Sequence, residues 1–439
     1  MTTKKLTAFL LVFSMIVSLS ASVAFAQGEI GFWTTTVQKE RIATQEEIIQ
    51  EFKDETGISV KLIPVKQSNI GQKITSAKAA GTLPDIISHP ITFTKSWVDA
   101  GILDAEAATE VINDLGEDTF NGLRLVKNGD QYMAIPSDGW GDLIIYRKDL
   151  YEENDLQPPN TWGRALEAAK KLHNAPTQYG FMVGTTPNRP YTMQVFEQVA
   201  MSNGVRLVDG EGNVTLDTPE MVEVLEFYKK LVNYTPKGNI YWKQTRLFYL
   251  TGKTATTFWS PFIMDEMAGA REDITVGVDD LPEKTGMVTS LSGPNGEAGY
   301  LSLNSFGITA NANTEAAKKF VKFVMNEGYV DYFNMDPFGM MPMRTGTPSE
   351  PNKFVKEWRD ASEIFEDYPT ESLNAVLEGF ESGDRWGLAK GYGSLVSKIY
   401  GQNTISRILV EDYLRGSLSA EETAEKMQKA VENLKEETD

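Results

Sequence analysis

The chain has no cysteine and only two histidines, His89 and His173, among 439 residues. Without cysteine there are no disulfides, no thiol nucleophile and no lipid-modified cysteine at an export cleavage site. Two isolated histidines do not make a histidine-rich metal site, so neither a metal nor a cofactor is expected. His173 falls late in a helix, where the helix dipole accounts for it. A G-x-S-x-G elbow, a Walker A loop and a G-x-G-x-x-G fingerprint are all missing, so no catalytic residue is assigned and no enzyme is expected. A glycosidase needs only two carboxylates, and 61 acids supply many pairs, so a polysaccharide-active hydrolase stands as an alternative. Basic residues are scarce, 42 against 61 acidic ones, and a net charge of -19 argues against nucleic acid or anionic lipid as partner.

Long apolar runs are missing too, except at the N-terminus. There Lys4 and Lys5 precede an apolar stretch from Leu6 to Ala26 that ends in Ala24-Phe25-Ala26. A basic start, an apolar middle and a small-x-small end predict a secretory signal peptide over residues 1–26. An uncleaved anchor is the other reading of that length. Cleavage removes two lysines and no acids, leaving a mature chain of charge -21 that works in a periplasm or at a cell surface.

From Glu29 the pattern alternates between strand and helix. Ile30 to Trp33 reads as a strand, and Ile42, Ile48, Ile49 and Phe52 share a helical face closed by Gly57. Ser59 to Val65 alternates as a second strand, Ile70 to Ala80 is helical up to Gly81, and Pro84 to Ser88 is a third strand. Right-handed βαβ crossovers and a parallel sheet follow. In such sheets ligands sit beyond the carboxyl ends of the strands, which favours Trp33, Thr36 and Gln38 after the first strand and His89 after the third.

Ala134 to Lys148 is the stretch around which the chain is organised. Leu143 to Tyr146 reads as a buried strand, but Pro136, Gly139 and Gly141 predict a bend ahead of it. Trp140, between two glycines, then faces a cleft from a hinge, with Asp138 and Asp142 beside it; a turn with Trp140 in the core fits the same pattern. Further on, helices are predicted over Trp162–Asn174, Tyr191–Asn203, Pro219–Val232 and Thr314–Met325, and strands over Tyr179–Gly184, Ala255–Trp259, Ile274–Leu281 and Leu301–Thr309. Leu207 to Leu216 reads as a hairpin; Asp209 and Glu211 lack the further ligands that a calcium loop needs. Connectors near 137–141, 286–299 and 341–346 divide the mature chain. Residues 27–136 plus 300–340 then form one lobe and 142–285 plus 347–439 the other.

Trp33, Trp140, Tyr191, Trp259 and Trp386 stand beside Thr, Ser, Asp, Asn or Gly rather than in apolar stripes. Such aromatics stack on pyranose rings while polar neighbours bond hydroxyls, although each one singly also suits a core. A resemblance is carried by Phe32-Trp33, Ala80-Gly81-Thr82-Leu83-Pro84-Asp85-Ile86-Ile87, Ile145-Tyr146-Arg147-Lys148-Asp149-Leu150, Pro158-Pro159-Asn160-Thr161-Trp162, the stretch Gly252 to Trp259, the stretch Ala316 to Val324 and Met341-Pro342-Met343-Arg344. In this order and spacing the mature chain resembles a family 1 extracellular solute-binding protein of the maltose/maltodextrin-binding type, which feeds ABC importers.

The resemblance implies an α/β, two-lobed periplasmic-binding-protein fold of class II, each lobe a central sheet flanked by helices, with the ligand cleft between. It implies a monomer that closes on a sugar or oligosaccharide and delivers it to a membrane permease, with no nucleic acid involved. By position it places Trp33, Thr36 and Gln38 on the first lobe, His89 where maltodextrin binders have a cleft aromatic, and Trp140 where they have an acidic sugar contact. Tyr191 matches a stacking tyrosine, Trp259 and Phe262 cover a stacking region of the second lobe, and Trp386 lies where another aromatic is expected. A binder of glycerol phosphate or polyamine with the same fold, and a surface lectin or sensor without a permease, are the remaining alternatives.

Overall fold

The structure, a computed structural model, describes residues 29–269, 274–361 and 363–437. The predicted signal peptide at 1–26 lies outside them. β1 (Glu29–Thr34) pairs in parallel with both β2 (Ser59–Pro64) and β3 (Ile86–Pro90). α1 (Lys39–Thr56) ends at Gly57, which takes φ 74° and donates its N–H to the Lys53 carbonyl at 2.8 Å. α2 (Ile70–Ala80) ends the same way at Gly81. A left-handed C-terminal cap is available to glycine without a Cβ penalty, so both stops were written in the sequence. α3 (Ile91–Asp99) follows β3 directly.

The bend expected at Pro136 does not form. Ile135–Arg147 is one uninterrupted strand of 13 residues. Its first half pairs antiparallel with another long strand, Gly296–Ile308, and with the short strand Met341–Pro342. Its second half pairs with Thr256–Trp259 and Thr285–Val288. Pro136 lies opposite Ser305, at the step where the register slips, so the missing N–H falls where the ladder is already irregular. The glycines serve close packing rather than bending. A Cβ on Gly139 would lie 2.6 Å from the Ser302 carbonyl oxygen, and one on Gly141 would lie 2.7 Å from the Gly379 carbonyl.

That strand belongs to two sheets. The larger runs in the order Met341–Pro342, Ile135–Arg147, Gly296–Ile308, β3, β1, β2, and the smaller is built on the other end of Ile135–Arg147. Helices cover both, giving an α/β fold of two bodies joined by a shared strand. Phe32, Phe52, Phe306 and Phe320 interlock in the first core, with centroids 5.1–5.8 Å apart. Phe181, Phe258, Phe196 and Tyr228 do the same in the second.

Three further expectations change. Residues 274–281 form turns rather than a strand, and Tyr179–Gly184 contributes only the bridges Tyr179 to Thr254 and Met182 to Thr257. The helix Lys353–Asp360, read from sequence as part of the second lobe, packs on the helix Tyr329–Asn334; the Phe354 and Tyr329 rings meet at 4.9 Å. Arg344 fixes that corner. Only 1% exposed, its guanidinium donates to the carbonyls of Leu115 and Met325 at 2.9 and 2.6 Å, capping the C-terminal ends of two helices.

Candidate functional site

Where the two bodies meet, a cavity of about 400 Å³ opens beside the shared strand. Side chains alternate across a strand, so Trp140 and Asp142 leave Ile135–Arg147 on the same face, and both line the cavity. Trp140 meets Phe262 edge to face at 5.4 Å. Phe262 comes from the turn Pro261–Ile263 after the strand Thr256–Trp259, and its ring lies over Gly339 of the opposite body.

Tyr191 occupies the first turn of the helix Pro190–Ser202, whose N-terminal proline presets the backbone. Its hydroxyl donates to the Phe258 carbonyl at 3.0 Å, and burial pushes that phenol's pKa up. The ring is therefore held in place against Trp259, 5.7 Å away, and Trp242 stands 6.3 Å beyond. Among the described residues the buried Nε1 of Trp259 has no hydrogen-bond partner. An unmatched donor is costly away from water, and here it borders a cavity.

The polar lining is largely ion-paired. Arg41 pairs with Asp336, and Arg246 donates to Glu266 at 2.6 Å while lying 5.2 Å over the Trp242 ring. Gln38, Gln194, Ser260 and Asp265 complete the wall. Among the described residues, no three His, Asp or Glu side chains converge as metal ligands do. Flat aromatic faces together with fixed hydrogen-bonding groups can hold a small polyhydroxylated solute.

Of the residues singled out from sequence, Gln38, Trp140, Tyr191, Trp259 and Phe262 come together here. The other five do not line the cavity. Trp33 is a core residue beside Ile70, Ile74 and Ile87, with the Lys73 ammonium 4.8 Å over its ring. Thr36 is half-buried, its N–H turned back to Thr34 Oγ1. His89 is fully buried within β3; it bonds Thr94 Oγ1 at 3.0 Å and the Ile87 carbonyl at 3.2 Å, and burial lowers its pKa to about 4. Asp138 accepts from Ser137 and Asn304, both at 2.7 Å, and burial raises its pKa. Trp386 is a core side chain that donates to the Val205 carbonyl at 3.1 Å.

Sequence reasoning missed Arg41, Asp142, Gln194, Trp242, Arg246, Ser260, Asp265, Glu266 and Asp336 as cavity residues. Some had a signal: Asp142 shares its strand face with Trp140, Gln194 follows Tyr191 by one helical turn, and Trp242 and Arg246 are four apart in the helix Trp242–Leu250. Arg41 and Asp336 are 295 residues apart, and no local pattern links them.

The model of the family described as bacterial extracellular solute-binding protein matches residues 38–331. The chain belongs to this family. As a member it is a solute-binding protein that works outside the cytoplasm. It is 30% identical over 324 residues to the putative ABC transporter periplasmic-binding protein YcjN of Escherichia coli K12, covering 72% of this chain and 73% of that one. Among solved structures, a solute-binding protein of Thermotoga lettingae bound to α-D-tagatose superposes with a TM-score of 0.71 at 19% identity, over 93% of this chain and 99% of the other. Maltose-bound MalE3 of T. maritima gives 0.71 at 21% identity, over 92% and 99%. At these identities the solved structures share the fold with this solute-binding protein: two lobes, each α/β, about a cleft.

Proposed function

We propose that this solute-binding protein is the capture component of an ABC importer and that it takes a neutral sugar or polyol into the cavity between its lobes. The observation that carries the reading is the aromatic wall of Trp140, Phe262, Tyr191 and Trp259, interleaved with Gln38, Gln194 and the ion-paired arginines. Apolar C–H faces of a sugar stack on such rings, and its hydroxyls meet the polar groups. The volume falls near the lower end of the range for small-ligand sites, which suits one or two rings. Glycerol phosphate fits less well, because Arg41 and Arg246 are each already matched by a carboxylate. The relatives that bind α-D-tagatose and maltose support the choice of carbohydrate.

In this reading residues 1–26 direct export, the mature monomer acts in the periplasm or at the cell surface, and the protein breaks no bond in its solute. The ligand favours the closed form by binding it better than the open one, and the closed form docks on the permease. The excess of carboxylates around the cavity supports a second reading, a polyamine ligand. A thermal-shift screen of the mature protein against mono- and disaccharides, polyols, glycerol phosphate, putrescine and spermidine separates them, because binding to the native state alone raises the melting temperature. A shift with one sugar or polyol class is expected. A shift with putrescine or spermidine alone overturns the carbohydrate reading.

A further inference from the structure

Asp142 stands apart from every other charged group of the cavity. Its side chain is only 7% exposed, it lines the cavity, and among the described residues nothing donates a hydrogen bond to its carboxyl. A buried carboxylate ordinarily has at least one donor and can accept several. The nearby charges do not supply them. Arg385 and Glu197 form a buried pair, Nε to Oε1 at 2.9 Å, and Glu197 also accepts from the Trp386 N–H at 2.6 Å and from the Tyr400 hydroxyl. Tyr300, cross-strand from Asp142, carries the Arg385 guanidinium 4.5 Å over its ring. Arg385 pairs with Glu197 through Nε alone, its buried Nη2 having no hydrogen-bond partner among the described residues, and Arg385, Glu197 and Asp142 together leave one negative charge in excess.

The other groups around Asp142 leave that balance unchanged. Tyr191 and Tyr300, the titratable side chains coupled to it from the helix Pro190–Ser202 and the strand Gly296–Ile308, are held neutral by burial. The helix Thr370–Ser382 reaches the strand through Gly379 at Gly141. Around the cavity Arg41 is matched by Asp336 and Arg246 by Glu266, with Asp265 a further acid. Burial together with the Glu197 charge outweighs the attraction of Arg385 and holds the Asp142 carboxyl up at about 7.

We propose that Asp142 is a specificity-determining residue of the cavity: its carboxylate accepts hydrogen bonds from two neighbouring hydroxyls of the ligand. This inference rests on the sugar-or-polyol reading. It restricts the ligand to rings or open chains that present a hydroxyl pair to the shared strand. A site built to bond a hydroxyl rejects the analogue that lacks it far more strongly than an apolar site rejects a change of size, because the buried acceptor is then left unmatched. Binding consumes the ionised form, so affinity falls with pH below about 7. The unliganded protein loses stability as pH rises through the same range, because there the native state must ionise a carboxyl that the unfolded chain ionises readily.

Calorimetric titration of the full mature protein and of Asp142→Asn, between pH 5.5 and 8, with maltose, D-tagatose, D-xylose, D-mannitol and the monodeoxy forms of whichever binds, tests this. The wild type is expected to lose affinity roughly tenfold per pH unit below 7. Asp142→Asn is expected to bind at least tenfold more weakly at pH 8, with a flat pH profile and a raised melting temperature. At least one deoxy analogue is expected to lose a hundredfold or more on the wild type only. Equal affinities of wild type and variant at pH 8, or a flat wild-type profile, overturn the role of Asp142 while leaving the sugar reading in place. If the variant does not fold, the wild-type profile and the deoxy series decide alone. A wild type that binds no sugar or polyol of the panel overturns the underlying reading, and this inference with it.

Discussion

Gly339→Ala is a one-carbon perturbation that tests whether the cavity wall is made by contact between the two lobes. The added Cβ would lie 1.7, 2.1 and 2.3 Å from three atoms of the Phe262 ring, far inside van der Waals contact. Gly339 is not among the glycines with positive φ, so alanine fits its backbone and the whole conflict falls on that ring. Phe262 cannot simply swing aside, because its ring already meets Trp140 at 5.4 Å. Overpacking of this kind costs about 1–3 kcal/mol. Gly339 and Phe262 belong to opposite bodies and Phe262 lines the cavity, so the cost falls on the contact between the bodies and should appear in affinity rather than in fold stability. That corresponds to a Kd raised between about 5-fold and 150-fold. Titration of the wild type and the variant with the sugar found in the thermal-shift screen measures it. In a Phe262→Ala background the clash is gone, and Gly339→Ala should then change Kd by less than about twofold. A variant that loses melting temperature but keeps its affinity, or a loss that persists in the Phe262→Ala background, refutes the reasoning.

Trp140→Ala should weaken ligand binding at least tenfold while the circular dichroism and melting curve stay near wild type; unchanged affinity would make Trp140 a packing residue only. Glu197→Gln strips the partner from Arg385, both at most 3% exposed, and should destabilise the native state by about 3–5 kcal/mol in denaturant unfolding. No measurable loss would mean that the pair is dispensable. His89, lowered from 6.5 to about 4 by burial, is neutral when folded, while the unfolded chain takes up its proton below 6.5. Stability should therefore drop between pH 6.5 and 4 by about 3 kcal/mol from this group. His89→Gln should flatten that part of the pH–stability profile, and an identical profile would exclude the histidine as its source.

The first half of the fold was legible because its elements announce themselves locally: apolar periodicity sets α1 and α2, and Gly57 and Gly81 end them. The shared strand was not, because proline and glycine in a run of sequence signal a turn unless tertiary neighbours require them. Here Ser302 and Gly379 crowd Gly139 and Gly141, and a register slip accommodates Pro136. The cavity was half legible for a related reason. Large aromatics next to polar residues located Trp140, Tyr191 and Trp259, and the family resemblance added Phe262. The same rule misplaced Trp33 and Trp386, whose burial is decided by α2 and by the Val205 carbonyl, distant in sequence. Ion pairs such as Arg41 with Asp336 join elements 295 residues apart and leave no trace along the chain.

Because one unbroken strand runs through both bodies, opening and closing amount to twisting a ribbon rather than slackening a tether. Points on the ribbon travel least, and points far from it travel most. Trp140 and Asp142 ride on that line, so in the proposed closure the floor of the cavity would keep its shape. In the closure proposed above, Arg41 and Arg246 would stand on the parts of the two bodies that move. On that proposal the solute would meet a stationary template first and the moving side chains afterwards, so a poor fit at the floor would be met before closure begins.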